Sequence, residues 1–124
     1  MVGVVLVSHS AGMAFEAAAL IREIAGEDVP VVGVGGTDDG RLGTSLDLIA
    51  AAIEGVDGGD GVVLVPDLGS SVLTARLLEE PGRIVLADVP FVEGAIAAAV
   101  CSGAGGSLAD VLAAAEEARV YRKL

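Results

Sequence analysis

Residues 4–12 read V-V-L-V-S-H-S-A-G, with the only histidine of the chain, His9, set between Ser8 and Ser10 just as an apolar run ends. The run from Val2 to Val7 is short, β-branched and apolar on both alternating faces, the pattern of a strand buried from two sides. Ala- and Leu-rich residues follow with helical spacing from about Gly12 to Ala25, and Gly26 is placed to end that helix. A buried strand that turns within a few polar residues into a helix is the opening half of a βαβ unit. The tip of that turn is where His9 stands.

The rest of the chain repeats this alternation without a sequence repeat. Strands are expected at Val29 to Val34, Gly61 to Pro66 and Arg83 to Ala87. A Gly/Asp-rich loop covers 33–43, and Thr44 or Ser45 can cap a helix running to about Glu54. Ser70 or Ser71 can cap a third helix that ends at Pro81-Gly82, an apolar segment starts near Pro90, and Ser107 can cap a last helix to about Tyr121. The connections are too long for hairpins, so the strands are parallel and the crossovers right-handed. The expected fold is one α/β domain over 1–124, an open, doubly wound, mainly parallel sheet of order 2-1-3-4 with helices on both faces. In that order His9, after strand one, and Asp67, after strand three, face the same crevice at the carboxyl edge.

Composition narrows the classes. The chain has 124 residues, enough for a single core, with 53% apolar but only 2% aromatic residues, so the interior must be Val, Leu, Ile and Ala. A formal charge of −11 argues against nucleic acid as a partner. It suits plain solubility or the steering of a basic protein. The longest apolar stretch, Ala95 to Cys101, is far short of the roughly 20 residues of a membrane span. No basic residue precedes the first apolar run, so neither a signal peptide nor a membrane is expected, and the cytoplasm is the expected location. The one cysteine, Cys101, can form no internal disulfide and reads as a small hydrophobe.

Two chemistries compete for S-H-S. A serine nucleophile on a G-x-S-x-G elbow needs glycine where Ser8 stands, and its triad needs a separate histidine as base. There is none, and His9 as immediate neighbour of Ser10 cannot readily turn back onto it. A histidine nucleophile needs less: a free nitrogen lone pair near neutral pH and a carboxylate or carbonyl on the other nitrogen to fix the tautomer. Asp67 is placed for that. Helix N-termini near Ser10 to Gly12 and Gly69 to Ser71 could then supply donors to a phosphoryl group. Histidine phosphatases want an arginine where Ser8 stands, and tetrapyrrole chelatases want further metal ligands.

Each residue also has a plainer reading. His9 can be an incidental polar residue at a strand end, Asp67 a turn or N-cap residue, and Ser70 and Ser71 ordinary caps. The G-V-G-G-T-D-D-G-R-L-G-T-S stretch (33–45) breaks the dinucleotide fingerprint at Asp38, and no Gly-Lys-Ser/Thr exists for a Walker A loop. Asp38 and Asp39 read as a solvated turn rather than a cation site. No metal and no cofactor is called for.

Four motifs together, V-V-L-V-S-H-S-A-G (4–12), L-G-T-S (42–45), V-P-D-L-G-S-S (65–71) and A-D-V-P-F-V-E-G-A (87–95), resemble one family in order and spacing, from Val2 to about Ala115. It is the EIIA-type domain of the phosphotransferase-system (PTS)-dependent dihydroxyacetone kinases, the DhaM group, related to the EIIA domains of mannose-family sugar transporters. The resemblance implies that His9 is transiently phosphorylated by the carrier protein HPr and passes the group to ADP held in the DhaL subunit. It implies that Asp67 orients the imidazole, that Gly43, Thr44, Gly69, Ser70 and Ser71 line the phosphohistidine, and that Glu93 and Gly94 give structural support nearby. It also implies a homodimer. Some members carry HPr-like and enzyme-I-like domains after this one; without them, HPr is a separate protein. The transporter branch, delivering to an EIIB domain, and a regulatory module of the same fold are the alternatives.

Overall fold

The structure, a computed structural model, describes residues 1–124. Its elements run β1 (Gly3–Ser8), α1 (Ala11–Ala25), β2 (Val31–Gly35), α2 (Leu46–Val56), β3 (Val62–Pro66), α3 (Gly69–Arg76), β4 (Ile84–Leu86), α4 (Phe91–Gly103) and α5 (Leu108–Glu117). A single 3₁₀ turn, Ala118–Val120, follows α5. The four strands form one sheet of order β2-β1-β3-β4, and every pairing is parallel. The doubly wound fold expected from the strand–helix alternation is present, with β1 and β3 side by side at its centre.

Side chains alternate across the sheet, and two apolar layers result. Val4, Leu6, Val63 and Val65 pack against α1, α4 and α5 through Ala18, Ile21, Ala95, Ala98, Ala99, Val111 and Ala115. Val5, Val7, Val62 and Leu64 pack on the other face against Ile49 and Ile53 of α2 and Ala75 of α3. The near absence of aromatics is made good by close approach. A Cβ added to Gly33 of β2 would lie 2.1 Å from the carbonyl oxygen of Ala14, so the backbone of α1 rests directly on β2. Ser102 of α4 is fully buried and donates to the carbonyl oxygen of Val2 at 2.5 Å, tying that helix to the start of β1.

Local chemistry sets most of the boundaries. Ser10 caps α1, its hydroxyl accepting from the N–H of Met13, and Gly26 ends the helix at φ 110. Ser45, not Thr44, caps α2. Ser107 and Asp110 form a reciprocal capping box at α5. Pro30 stays just outside β2, accepting from the N–H of Val4 through its carbonyl, the one backbone bond a proline can still make.

Helix α3 departs from expectation. It starts at Gly69 with Leu68 in the cap position and no side-chain cap, so Ser70 and Ser71 lie inside its first turn. It ends at Arg76, well before Pro81. The serines that would ordinarily cap it are turned toward His9 and Asp67.

Candidate functional site

Parallel strands bring all their carboxyl ends to one edge, and β1 and β3 are neighbours. His9 leaves β1 there and Asp67 leaves β3, with the N–H of Asp67 still bonded to the carbonyl of Val7. The two side chains meet: His9 Nδ1 lies 3.0 Å from Asp67 Oδ1. The His9 side chain is 23% exposed and that of Asp67 only 5%. The ring thus shows one edge to solvent while its partner lies beneath.

The Asp67 carboxylate is divided between two tasks. Oδ2 accepts from Ser8 Oγ at 2.8 Å and from the backbone N–H of His9 at 3.1 Å. Oδ1 faces the ring and accepts from Ser71 Oγ at 2.7 Å and from the N–H of Leu68 at 2.6 Å. Burial works to raise the pKa of this carboxyl and is the largest single influence. The hydroxyls of Ser71 and Ser8 and the N–H groups of His9 and Leu68 together outweigh it, so the pKa falls from 3.8 to about 2. At neutral pH Asp67 is therefore ionised and can only accept.

Nδ1 therefore carries the proton that points at Asp67, and in the neutral ring it is Nε2 that keeps the lone pair. Ser71 Oγ, 3.1 Å from Nδ1, has its own hydrogen directed to Asp67 and can receive only a share of that proton. Nε2 is met by the hydroxyl of Ser70, which lies in the exposed first turn of α3. The arrangement holds the imidazole by one nitrogen and turns the other toward the N-terminus of α3, where the neutral ring can act as a nucleophile or acceptor.

The other expected site residues divide. Gly43 donates its N–H to the carbonyl oxygen of His9 at 2.9 Å. Thr44 does not touch the ring; its hydroxyl is 2.8 Å from that of Thr74 on α3. Ser10 caps α1 and donates its N–H to Ser8 Oγ, again without touching the ring. Gly69 opens α3 beside a cleft of about 610 Å³ that includes Asp67, Leu68 and Val89. Glu93 pairs with Lys123 at 2.7 Å and makes no hydrogen bond to His9. Gly94 lets α4 close against Val89, because a Cβ there would lie 2.3 Å from Val89 Cγ2. Asp39 engages Thr37 and Arg41, and Asp38 accepts from Ser45.

A reading of motifs alone makes Ser8 a donor flanking the histidine and misses its bond to Asp67, and it misses Thr74 altogether. Ser8 shares the face of Val4 and Leu6, so a hydroxyl at a core-facing position of an apolar strand is the available signal. Thr74 leaves none.

The sequence profile of the EIIA-man family, described as the PTS system fructose IIA component, matches residues 3–112. The chain belongs to the EIIA-man family. Within it, the chain is 42% identical over 99 residues to the phosphoryl donor subunit DhaM of PEP-dependent dihydroxyacetone kinase 1 from Listeria innocua, covering 78% of each protein. A second L. innocua protein, the DhaM subunit of kinase 2, is 37% identical over 111 residues, covering 82% of this chain and 86% of that one. The EIIA-man fold is also shared with the crystal structure of EF1359, a protein of unknown function. It is 32% identical, with a TM-score of 0.85 over 100% of this chain and 99% of that one.

Proposed function

We propose that this EIIA-man chain is the phosphoryl donor subunit of a PTS-dependent dihydroxyacetone kinase and that it carries the phosphoryl group on Nε2 of His9. The observation that carries the reading is the contact between His9 Nδ1 and the ionised Asp67, which leaves the lone pair on the outward nitrogen. In the first step Nε2 attacks the phosphorus of phosphohistidine on HPr, the N–P bond of HPr breaks, and its imidazole leaves with the electron pair. The His9 ring becomes cationic while keeping its Nδ1 proton, and Asp67 opposes that charge directly. In the second step a β-phosphate oxygen of ADP in the DhaL subunit takes the group, and His9 returns to its neutral tautomer.

The phosphoryl oxygens lie against the start of α3, where Gly69 and Ser70 supply donors above the buried Ser71, and beside Ser10, Gly43 and Thr44. The N–H groups of Ala11 and Gly12 in α1 and of Gly69 and Ser70 in α3 have no acceptor in the chain, and both helix dipoles favour negative charge there. Ser70, already on Nε2, moves to a phosphoryl oxygen when the N–P bond forms. Asp67 acts as the positioning residue and the source of the opposing charge.

The reading extends to a single domain working as a cytoplasmic homodimer. No helix is long and apolar enough to cross a membrane. Phe15, Leu20 and Ile24 of α1 are more than two-fifths exposed, surface that a second copy could cover.

The test uses phosphoenolpyruvate, enzyme I and HPr with labelled phosphorus. The chain is expected to take up an acid-labile, base-stable label that His9→Ala abolishes and DhaL–ADP removes. Uptake by His9→Ala would overturn the assignment, and no uptake by the natural chain would overturn the relay. The family description names a PTS fructose IIA component, and a sugar-transporter EIIA role is the second reading; label retained with DhaL–ADP but lost to an EIIB domain selects it.

A further inference from the structure

We infer that Ser8 is a positioning residue of this site: it locks the Asp67 carboxylate in rotation, so that Oδ1 is reserved for the His9 ring. The inference rests on the reading of His9 as the phosphoryl carrier only for its effect on transfer. Its structural part stands alone.

Ser8 is fully buried at the end of β1, on the face where every preceding side chain is apolar. A lone hydroxyl there is costly unless satisfied, and this one is satisfied in a single direction. Its oxygen accepts the N–H of Ser10 at 3.0 Å, so its hydrogen is committed to Asp67 Oδ2 at 2.8 Å. The only other group on Oδ2 is the N–H of His9 at 3.1 Å. Three donors crowd Oδ1, namely His9 Nδ1, Ser71 Oγ and the N–H of Leu68. A carboxylate can turn about its Cβ–Cγ bond, and an unanchored Oδ2 would let Oδ1 leave the ring plane. The Ser8 bond opposes that turn and links the first turn of α1 to the carboxylate of β3. Ser8 thus serves the ring through Asp67 and never touches it.

Removing a hydrogen bond to an ionised group weakens that group as an acid by about tenfold. In Ser8→Ala the Asp67 carboxyl, followed by ¹³C NMR, is expected to titrate at least about tenfold weaker than in the natural chain. The ¹⁵N spectrum of His9 should show loss of the single Nδ1–H tautomer, and phosphoryl uptake from HPr should fall roughly tenfold. Ser8→Thr keeps the hydroxyl and should restore all three. Ser8→Cys keeps the shape with a weak donor and carries the same expectation if Ser8→Ala does not fold.

An unchanged Asp67 titration together with an unchanged His9 tautomer would overturn the inference, because a merely space-filling serine predicts that result. Spectral changes in a chain that never takes up phosphorus, natural or variant, would leave Ser8 in its role and remove the relay instead.

Discussion

Gly43 holds the carbonyl oxygen of His9 through its backbone N–H at 2.9 Å, so the loop after β2 is fastened to the peptide of the histidine rather than to its ring. It can do so because its φ is 142, a left-handed value, and because no side chain intervenes. A Cβ there would lie 2.8 Å from Thr37 Cγ2. Gly43→Ala is therefore expected to lose about 1–3 kcal/mol of stability by urea denaturation. Gly40→Ala, also at a positive φ but with open space around it, should lose about 1 kcal/mol, and equal losses would show that the Thr37 contact contributes nothing.

A second pair of glycines separates close packing from backbone freedom. A Cβ on Gly35 would lie 2.6 Å from the carbonyl oxygen of Ser8 and 2.7 Å from that of Ser10. Those carbonyls belong to the residues on either side of His9. Gly35→Ala should cost roughly 2–3 kcal/mol and shift the His9 NMR signals. Gly55, near the end of α2, has nothing within 4 Å of its added Cβ, and Gly55→Ala should stabilise the chain by about 0.5–1 kcal/mol. Thermal melts of the two variants moving in the same direction would refute this account.

Asp67 makes stability depend on acid. Its folded pKa of about 2 lies below the ordinary 3.8, so its contribution is complete above about pH 4 and disappears as the pH falls through 2. The size is about 2 kcal/mol for this nearly buried carboxylate. The stability gap between the natural chain and Asp67→Asn should narrow by that amount between pH 6 and pH 2. A gap independent of pH would mean that the carboxylate is not held as described. On the proposed relay the same variant slows phosphoryl uptake more than tenfold, because an amide no longer selects the Nδ1–H tautomer.

Ser70 and Ser71 are neighbours with opposite burdens. Ser71 is fully buried and donates to an ionised carboxylate, so Ser71→Ala should lose roughly 1.5–3 kcal/mol. Ser70 is exposed, and its hydroxyl meets only the outer nitrogen of His9. Ser70→Ala should change stability by about 0.5 kcal/mol or less while slowing transfer severalfold, if the relay holds. Denaturation curves and labelling rates measured together check the split. A larger stability loss for Ser70→Ala than for Ser71→Ala would reverse it.

Much of this architecture is legible in the sequence, for identifiable reasons. The run from Val2 to Val7 and its counterpart from Gly61 to Pro66 are apolar on both faces, which in a short chain leaves few alternatives to central parallel strands. Strand order then places His9 and Asp67 at one edge with no side-chain detail needed. The start of α3 is the exception. Serine is the commonest cap, and local preference cannot register that His9 and Asp67 compete for the same hydroxyls, His9 from about sixty residues away. Ser8 is hidden by the same gap, since its partner comes from a different strand. The glycines at 33 and 35 look like strand weakeners and loop formers. Their purpose shows only when the backbone of α1 is seen against Gly33 and that of Ser8 and Ser10 against Gly35.

Asp67 takes hold of His9 twice, by the backbone N–H through Oδ2 and by the ring through Oδ1. One carboxylate thus holds both the peptide and the ring of His9, which opposes any turn of the ring away from Asp67. On the proposed relay, the histidine is then a fixed station and not a swinging arm. The cargo travels because one protein departs from the mouth and another arrives, so each must present its own reacting atom to an imidazole that stays where it is. Donor and acceptor meet the same stereochemical demand, one after the other, and cannot occupy the station together.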